Sequence, residues 1–162
     1  MAVFKNTFTR AINVIPSADC DVPNPALFIV AAQSTGTATN QLIDANADFI
    51  TAGVKVGDIV YNTTENLAAT VTNVINATTL ELNGDAVQAG LSDCNIYAGT
   101  QNSASLGGCF LYNPNAASRI AVQVKTVGGE LIAFEISSQF QFCPLQVRAV
   151  ISSSAAPVIA FW

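Results

Sequence analysis

Apolar and polar residues alternate most regularly near residue 120, which predicts paired β-strands. Residues 120–124 read Ile, Ala, Val, Gln, Val, and residues 130–136 return with a similar apolar content. Gly128 and Gly129 lie between the two runs. Two adjacent glycines supply the positive φ angles of a two-residue primed turn, so the pattern predicts a β-hairpin with that turn.

Two further apolar runs complete a predicted C-terminal sheet. The first, at residues 145–151, alternates so that four apolar residues are expected on one face: Leu145, Val147, Ala149 and Ile151. The second, at residues 158–162, ends in Phe161 and Trp162. An aromatic pair at the end of a strand predicts that the strand buries part of that end.

The N-terminal residues predict an arm, a loop and a strand. Residues 4–15 are rich in Thr and Asn and predict an extended arm that leads into a strand. Residues 16–25 contain three prolines, which exclude a helix interior or a central strand and predict a loop. Residues 27–32 are apolar without alternation, so we expect a strand at the centre of a sheet.

The middle of the chain has the pattern of a small separate unit. Short apolar runs alternate with Asn- and Gly-containing turns, and residues 67–75 and 78–82 predict another hairpin. Five short strands in about sixty residues are typical of a small barrel of SH3-like or OB-like size. We therefore predict an all-β chain: a jelly-roll-like β-sandwich of residues 1–32 plus 106–162, with a small β-barrel of residues 36–98 inserted.

The composition narrows the classes of partner. Only 10% of the residues are charged and 51% are hydrophobic, which suits a surface in contact with other proteins or with copies of the same chain. The net charge is −5 and the six Lys and Arg residues are dispersed, so nucleic-acid binding is not expected. No apolar run approaches the length of a membrane span, and the N-terminus does not resemble a signal peptide. We expect synthesis in the cytoplasm of a host.

The titratable residues do not form a catalytic pattern. The chain has no histidine, so a Ser-His or Cys-His pair cannot exist. The cysteines are far apart in sequence, which disfavours a zinc site and favours buried free thiols over a disulfide. Asp19 and Asp21 are interpreted as turn residues rather than as a metal or acid–base pair. Three tyrosines are candidates for a sugar-binding surface, with core-edge positions favoured: Tyr61, Tyr97 and Tyr112. We expect no cofactor, no metal and no enzymatic activity.

Two groups of residues resemble known phage proteins. In the middle of the chain, residues 53–60, 69–74 and 78–82 are similar to a module found repeatedly in structural proteins of tailed bacteriophages. The C-terminal run resembles the head-spike base protein family of phage-like particles, on residues 122–126, 128–129, 132–134, 144–147, Val150 and 159–162. Here the turn at residues 152–157 is Ser- and Ala-rich, where that family has Thr and Gly.

The resemblance implies a virion structural protein without enzymatic activity, either a capsid decoration (cement) protein or a head-spike base. Its partners would be the major capsid protein or another virion protein, and copies of itself. The alternative is a tail or fibre component that binds a host receptor or a glycan. Because the predicted sandwich has most of the continuous apolar runs, we expect it to make the contacts while residues 36–98 project away. The contact residues would include Phe4, Phe8, Arg10, Phe161 and Trp162.

Overall fold

The structure, a computed structural model, describes residues 8–99, 108–115, 118–137, 143–154 and 157–162. Within these ranges the chain is all-β apart from one short 3-10 turn at Pro25–Leu27. The strands are β1 (Ala11–Asn13), β2 (Phe28–Gln33), β3 (Gly36–Ala38), β4 (Gln41–Ile43), β5 (Ile59–Asn62), β6 (Leu67–Asn76), β7 (Thr79–Leu82), β8 (Asp93–Tyr97), β9 (Phe110–Tyr112), β10 (Ile120–Thr126), β11 (Leu131–Ile136), β12 (Val147–Ser153) and β13 (Ile159–Phe161).

Two three-stranded antiparallel sheets form a β-sandwich. The terminal sheet has the strand order β1-β13-β9, and the hairpin sheet has the order β11-β10-β12. Their inward side chains share one core, in which Leu111 and Ala160 of the terminal sheet meet Val122, Val124 and Val150 of the hairpin sheet. The predicted all-β sandwich is therefore confirmed.

The hairpin predicted at residues 120–136 is confirmed, but its turn is different. β10 and β11 pair with Ile120 opposite Ile136. Gly129 has a positive φ of 97°, whereas Gly128 has not. Gly129 N donates to Thr126 O at 3.0 Å, and the loop is three residues long. The predicted two-residue turn is wrong because a three-residue loop needs only one left-handed residue, at its last position.

Two β-bulges in β12 break the alternation that the sequence predicted. The register with β10 shifts twice, and the extra residues are Arg148 and Ile151. As a result Val147 and Val150, three residues apart, both belong to the sandwich core. The prediction that every second residue of 145–151 shares one face is wrong, because each bulge adds a residue and changes the face of those that follow.

Residues 28–97 form the seven-stranded unit, a sheet with the order β2-β8-β5-β6-β7-β4-β3. The hairpin predicted at residues 67–82 is present as β6 and β7. β6 is ten residues long, and it pairs with β5 through its first half and with β7 through its second. The unit has a core of its own around Leu42, Phe49 and Leu80. Closure of this sheet into an SH3-like or OB-like barrel stays a prediction.

The strand predicted at residues 27–32 forms in a different sheet from the one expected. β2 pairs with β8, from Phe28 opposite Tyr97 to Gln33 opposite Asp93. It lies at one edge of the seven-stranded sheet, so its assignment to the centre of the sandwich is wrong. Ile29, Val30 and Ala32 pack into the core of that unit, whereas Phe28 is 50% exposed. The apolar run therefore does not correspond to a strand buried on both faces.

Residues 14–22, the linking segment, join the two units. They form no strand, in agreement with the loop that the prolines predicted. Val14 and Val22 nevertheless belong to the sandwich core. Ile15 and Cys20 belong to a separate buried cluster with four residues of the seven-stranded sheet: Ile59, Tyr61, Ala68 and Tyr97. The linking segment is therefore part of the packing on both sides.

Hydrogen bonds fix the linking segment on the seven-stranded unit. The Tyr61 hydroxyl accepts from Ile15 N at 2.7 Å and donates to Ile15 O at 3.3 Å. Asp19 O accepts from Thr70 Oγ1 at 2.8 Å and from Asn83 Nδ2 at 2.7 Å. The bonds of Tyr61 satisfy backbone groups of Ile15 that have no strand partner, so this residue can be buried at little cost.

Candidate functional site

Backbone pairing brings the predicted contact residues from the two ends of the sequence side by side. Thr9 N donates to Trp162 O at 2.9 Å, and Trp162 N donates to Arg10 O at 3.1 Å. These bonds extend the pairing of β1 with β13. Four of the predicted residues therefore lie in one region of the terminal sheet: Phe8, Arg10, Phe161 and Trp162. The fifth, Phe4, lies outside the described residues.

Four aromatic rings form a cluster, the aromatic face, on the outer side of the terminal sheet: Phe8, Phe110, Tyr112 and Phe161. The Phe8 ring centroid lies 5.5 Å from that of Phe161 and 5.9 Å from that of Phe110. The Tyr112 and Phe161 centroids are 5.8 Å apart, edge to face. Leu111, between two of these residues, is fully buried in the core, so its neighbours in β9 point outward.

The predicted contact residues differ in exposure. Phe8 is 37% exposed, and Arg10 is exposed beside it. Phe161 is half-buried within the aromatic face. Trp162 packs against the sandwich core and does not belong to the face. Sequence reasoning did not place Phe110 or Tyr112 among the contact residues, and it considered Tyr112 only for a sugar-binding surface. The alternation Phe-Leu-Tyr at residues 110–112 was a signal that the two share one side of a strand.

A cleft of about 490 Å³ lies between the two units. The linking segment lines it with residues 18–21. The hairpin sheet lines it with Lys125, Leu131, Arg148, Ala149 and Ile151. The seven-stranded unit supplies Ile59 and three further residues: Gly57, Thr70 and Gly99. Arg148 and Ile151, the extra residues of the two bulges, both line the cleft.

The cleft contains two cations and two carboxylates. Arg148 Nε donates to Asp21 Oδ2 at 2.7 Å, and the Asp21 side chain is 19% exposed. Lys125 is half-buried, and no acceptor for its ammonium group is found among the residues that the structure describes. Asp19 is exposed and its carboxylate has no donor within the same residues. The prediction of Asp19 and Asp21 as simple turn residues thus misses the ion pair of Asp21.

The cysteines are four buried free thiols, as the sequence favoured. Burial raises the pKa of Cys20, Cys94 and Cys109 to about 12. Burial also raises the pKa of Cys143. A thiol in this state remains protonated at neutral pH and is a poor nucleophile. Cys20 therefore lines the cleft as an apolar group and not as a reactive one.

The tyrosines proposed for a sugar-binding surface are mostly internal. Tyr61 is 1% exposed and Tyr97 is 7% exposed, so only Tyr112 reaches the surface in part. A separate polar groove of about 460 Å³ lies at the edge of the seven-stranded sheet, where its lining includes Thr37, Thr39, Asp85 and Gln88. It offers hydrogen-bonding groups without an aromatic platform.

Within the described ranges, no three His, Cys, Asp or Glu side chains are grouped so that they could hold a metal ion. The same part of the chain contains no helix that is long and apolar enough to cross a membrane. No protein-family model, curated protein or solved structure matches the chain.

Proposed function

We propose that this protein is a non-enzymatic structural component of a tailed-phage particle, either a capsid decoration protein or a head-spike base. It binds the particle surface through the major capsid protein or another virion protein, and it associates with copies of itself. The observation that carries the proposal is the aromatic face of the terminal sheet, which contains Phe8 and Phe161. The resemblance of stretches within residues 122–162 to head-spike base proteins supports the same conclusion.

The composition of this surface suits an assembly contact. The cores of protein–protein interfaces are enriched in aromatic residues and depleted of charge. The aromatic face has four rings, and the exposed Arg10 lies near Phe8 in the sequence. Phe8 retains 37% of its surface, or roughly 70 Å² of an aromatic side chain of about 200 Å². At about 25 cal/mol per Å², covering it contributes about 1.5–2 kcal/mol, which is a ten- to thirtyfold gain in affinity.

The proposal assigns no catalytic role to the chain. Histidine, the usual proton shuttle at neutral pH, does not occur in the sequence. Burial raises the pKa of Cys20 and Cys109 to about 12, which disfavours the thiolate that nucleophilic catalysis requires. These properties fit a protein that binds other proteins and catalyses no reaction.

Labelling of purified particles tests the location. An antibody or a gold-labelled tag should mark the head shell, whereas label confined to the tail tip would exclude a decoration or spike-base role.

The contact itself is tested with Phe8→Ser and with the matched control Phe28→Ser. Phe28 is 50% exposed but lies on the seven-stranded unit. We expect Phe8→Ser to weaken particle binding and self-association ten- to thirtyfold, measured by co-sedimentation, and Phe28→Ser to change neither.

A deletion pair tests the orientation. We propose that the sandwich holds the particle and that the seven-stranded unit projects away from it. Because β2 pairs with β8, the segment to replace with a Gly-Ser linker is residues 28–98 rather than 36–98. Ile15→Thr and Cys20→Ser should accompany the change, because both side chains lose their cover. This variant should retain particle binding, with its fold checked by Trp162 fluorescence, whereas removal of residues 1–10 should abolish binding. The opposite pattern contradicts the orientation.

A second candidate function is a tail or fibre component that binds a receptor or a glycan. The observation in its favour is the polar groove at the edge of the seven-stranded sheet, where Thr37, Thr39 and Gln88 offer hydrogen-bonding groups. Binding of host-cell polysaccharide that is lost in Thr37→Val, together with label at the tail tip, would favour this function over the first.

A further inference from the structure

The cleft between the two units is not used by the proposed function, and its chemistry is specific. We propose that it binds a small amphipathic carboxylate, an organic acid with one carboxylate group and a short hydrocarbon portion. The proposal is independent of the aromatic face, which lies on the terminal sheet, because the cleft is lined by the hairpin sheet, the linking segment and the seven-stranded unit.

Arg148 is oriented to receive an anion. Asp21 accepts from Nε at 2.7 Å and holds the guanidinium plane, and the side chain remains 41% exposed. No group among the described residues accepts from its two terminal nitrogens. A guanidinium fixed through Nε presents those nitrogens as a fork whose spacing matches the two oxygens of a carboxylate.

Lys125 provides the second positive charge. It lies on β10 directly opposite Ala149, the neighbour of Arg148, and both cations line the cleft. A half-buried ammonium group interacts with an anion more strongly than an exposed one does, because the surrounding solvent screens it less. Lys125 and Arg148 therefore define an anion-binding end.

Other residues define an apolar part beside this end. Ile59 is 2% exposed and Ala149 is 4% exposed, and Ile151 is half-buried. Leu131, which is 64% exposed, also lines the cleft. Leu131 and Ile151 therefore offer a hydrocarbon surface that a ligand gains energy by covering, whereas Ile59 and Ala149 form the buried floor beneath it. A free inorganic anion would leave that surface unused.

The balance of charge selects a monoanion. Among the described residues, Asp19 and Asp21 offset Lys125 and Arg148, so the charged side chains that line the cleft sum to zero. A dianion such as phosphate would leave two uncompensated negative charges in the cleft, whereas a single carboxylate leaves one and can be held by the fork of Arg148. The volume, about 490 Å³, is within the range of small-ligand pockets, roughly 300–1,000 Å³.

The bulge at Arg148 in β12 explains why the site occurs here. In a regular strand successive side chains alternate between faces, and Arg148 and Ala149 would lie on opposite sides. The bulge at Arg148 places two consecutive residues, Arg148 and Ala149, on the cleft side between the core residues Val147 and Val150. Ile151 then follows on the cleft side by ordinary alternation. Bulges that redirect side chains are frequent next to binding sites.

The experiment is a titration of the ¹⁵N-labelled full chain with hexanoate, followed by amide chemical shifts. We expect saturable shifts at Gly57, Gly99 and Ala149, which line the cleft. Lys125→Gln should weaken hexanoate binding about tenfold, because a hydrogen bond to a charged group is lost. Arg119→Gln is the matched control, because it also removes one positive charge. Arg119 immediately precedes β10 and pairs with Glu135 outside the cleft. This variant should leave the affinity for hexanoate unchanged.

Two further ligands test separately whether the negative charge and the hydrocarbon portion are needed for binding. Hexylammonium has the same hydrocarbon portion with the opposite charge, and inorganic phosphate is an anion without a hydrocarbon portion. We expect neither to bind as tightly as hexanoate. The proposal is overturned if hexanoate shifts no cleft residue, if Lys125→Gln binds it as wild type does, or if either probe equals hexanoate.

Discussion

Replacing Tyr61 by phenylalanine removes a single oxygen atom from the contact between the sandwich and the seven-stranded unit. The hydroxyl accepts from Ile15 N at 2.7 Å and donates to Ile15 O at 3.3 Å. Tyr61 is 1% exposed and Ile15 is 6% exposed, so water does not take the place of the lost oxygen easily. The variant leaves a buried N–H and a buried C=O without this partner.

The free-energy cost follows from these bonds. An unsatisfied buried donor costs about 1–3 kcal/mol. The 3.3 Å bond is long and contributes less than the 2.7 Å bond does. We therefore expect Tyr61→Phe to lower the free energy of unfolding by about 2–3 kcal/mol, and to lower Tm by about 4–12 °C for a chain of this size.

Urea unfolding measures the change with two probes. Fluorescence of Trp162, the single tryptophan, reports on the sandwich, and far-UV circular dichroism reports on both units. Because the linking segment is packed in both, we expect the two wild-type transitions to coincide. Tyr112→Phe is the matched control, since its hydroxyl has no hydrogen-bond partner among the described residues, and it should change stability by less than about 0.5 kcal/mol. A loss for Tyr61→Phe no larger than for this control refutes the reasoning.

Two further predictions concern the thiols and a glycine. Burial raises the pKa of Cys20, Cys94 and Cys109 from 9.0 to about 12. Because the folded state keeps these thiols protonated, the free energy of unfolding is unaffected below pH 9. It falls as the pH rises towards 12, by about 1.4 kcal/mol per pH unit for each thiol. A urea midpoint that stays constant from pH 8 to 10.5 contradicts this. In Gly99→Ala, the new Cβ would lie 1.9 Å from Gly57 O, so we expect a loss of about 3 kcal/mol or more in thermal unfolding. Gly90→Ala meets no atom within 4 Å and should be nearly neutral.

Local alternation was sufficient to predict the strands whose partners are adjacent in sequence. The hairpins β10–β11 and β6–β7 follow from runs separated by short turns, where one pattern specifies both strands and their order. Residues 27–32 also formed the predicted strand, but its partner β8 is more than sixty residues away. An apolar run does not specify which distant strand it pairs with, so its sheet could not be predicted.

The bulges of β12 were not predictable from the pattern of apolar and polar residues. Arg148 and Ile151 are extra residues only with respect to β10, and a register exists only between two strands. The cleft depends on the bulge at Arg148 and on the linking segment, so it was missed as well. The region of Phe8 and Phe161 was predicted from the apolar ends of the sequence, whereas Phe110 joins it through the pairing of β13 with β9.

The linking segment forms hydrogen bonds with residues of the same chain that are synthesised much later. Ser17 N donates to Val150 O, and the ion pair of Asp21 with Arg148 joins residues 127 positions apart. At roughly 5–20 residues per second, that separation corresponds to a wait of roughly 6–25 s. β5, β6 and β8 are synthesised well before β12, so the Tyr61 surface can receive Ile15 and Cys20 first. The seven-stranded unit would then shield half of the segment from aggregation until the sandwich closes over Val14 and Val22.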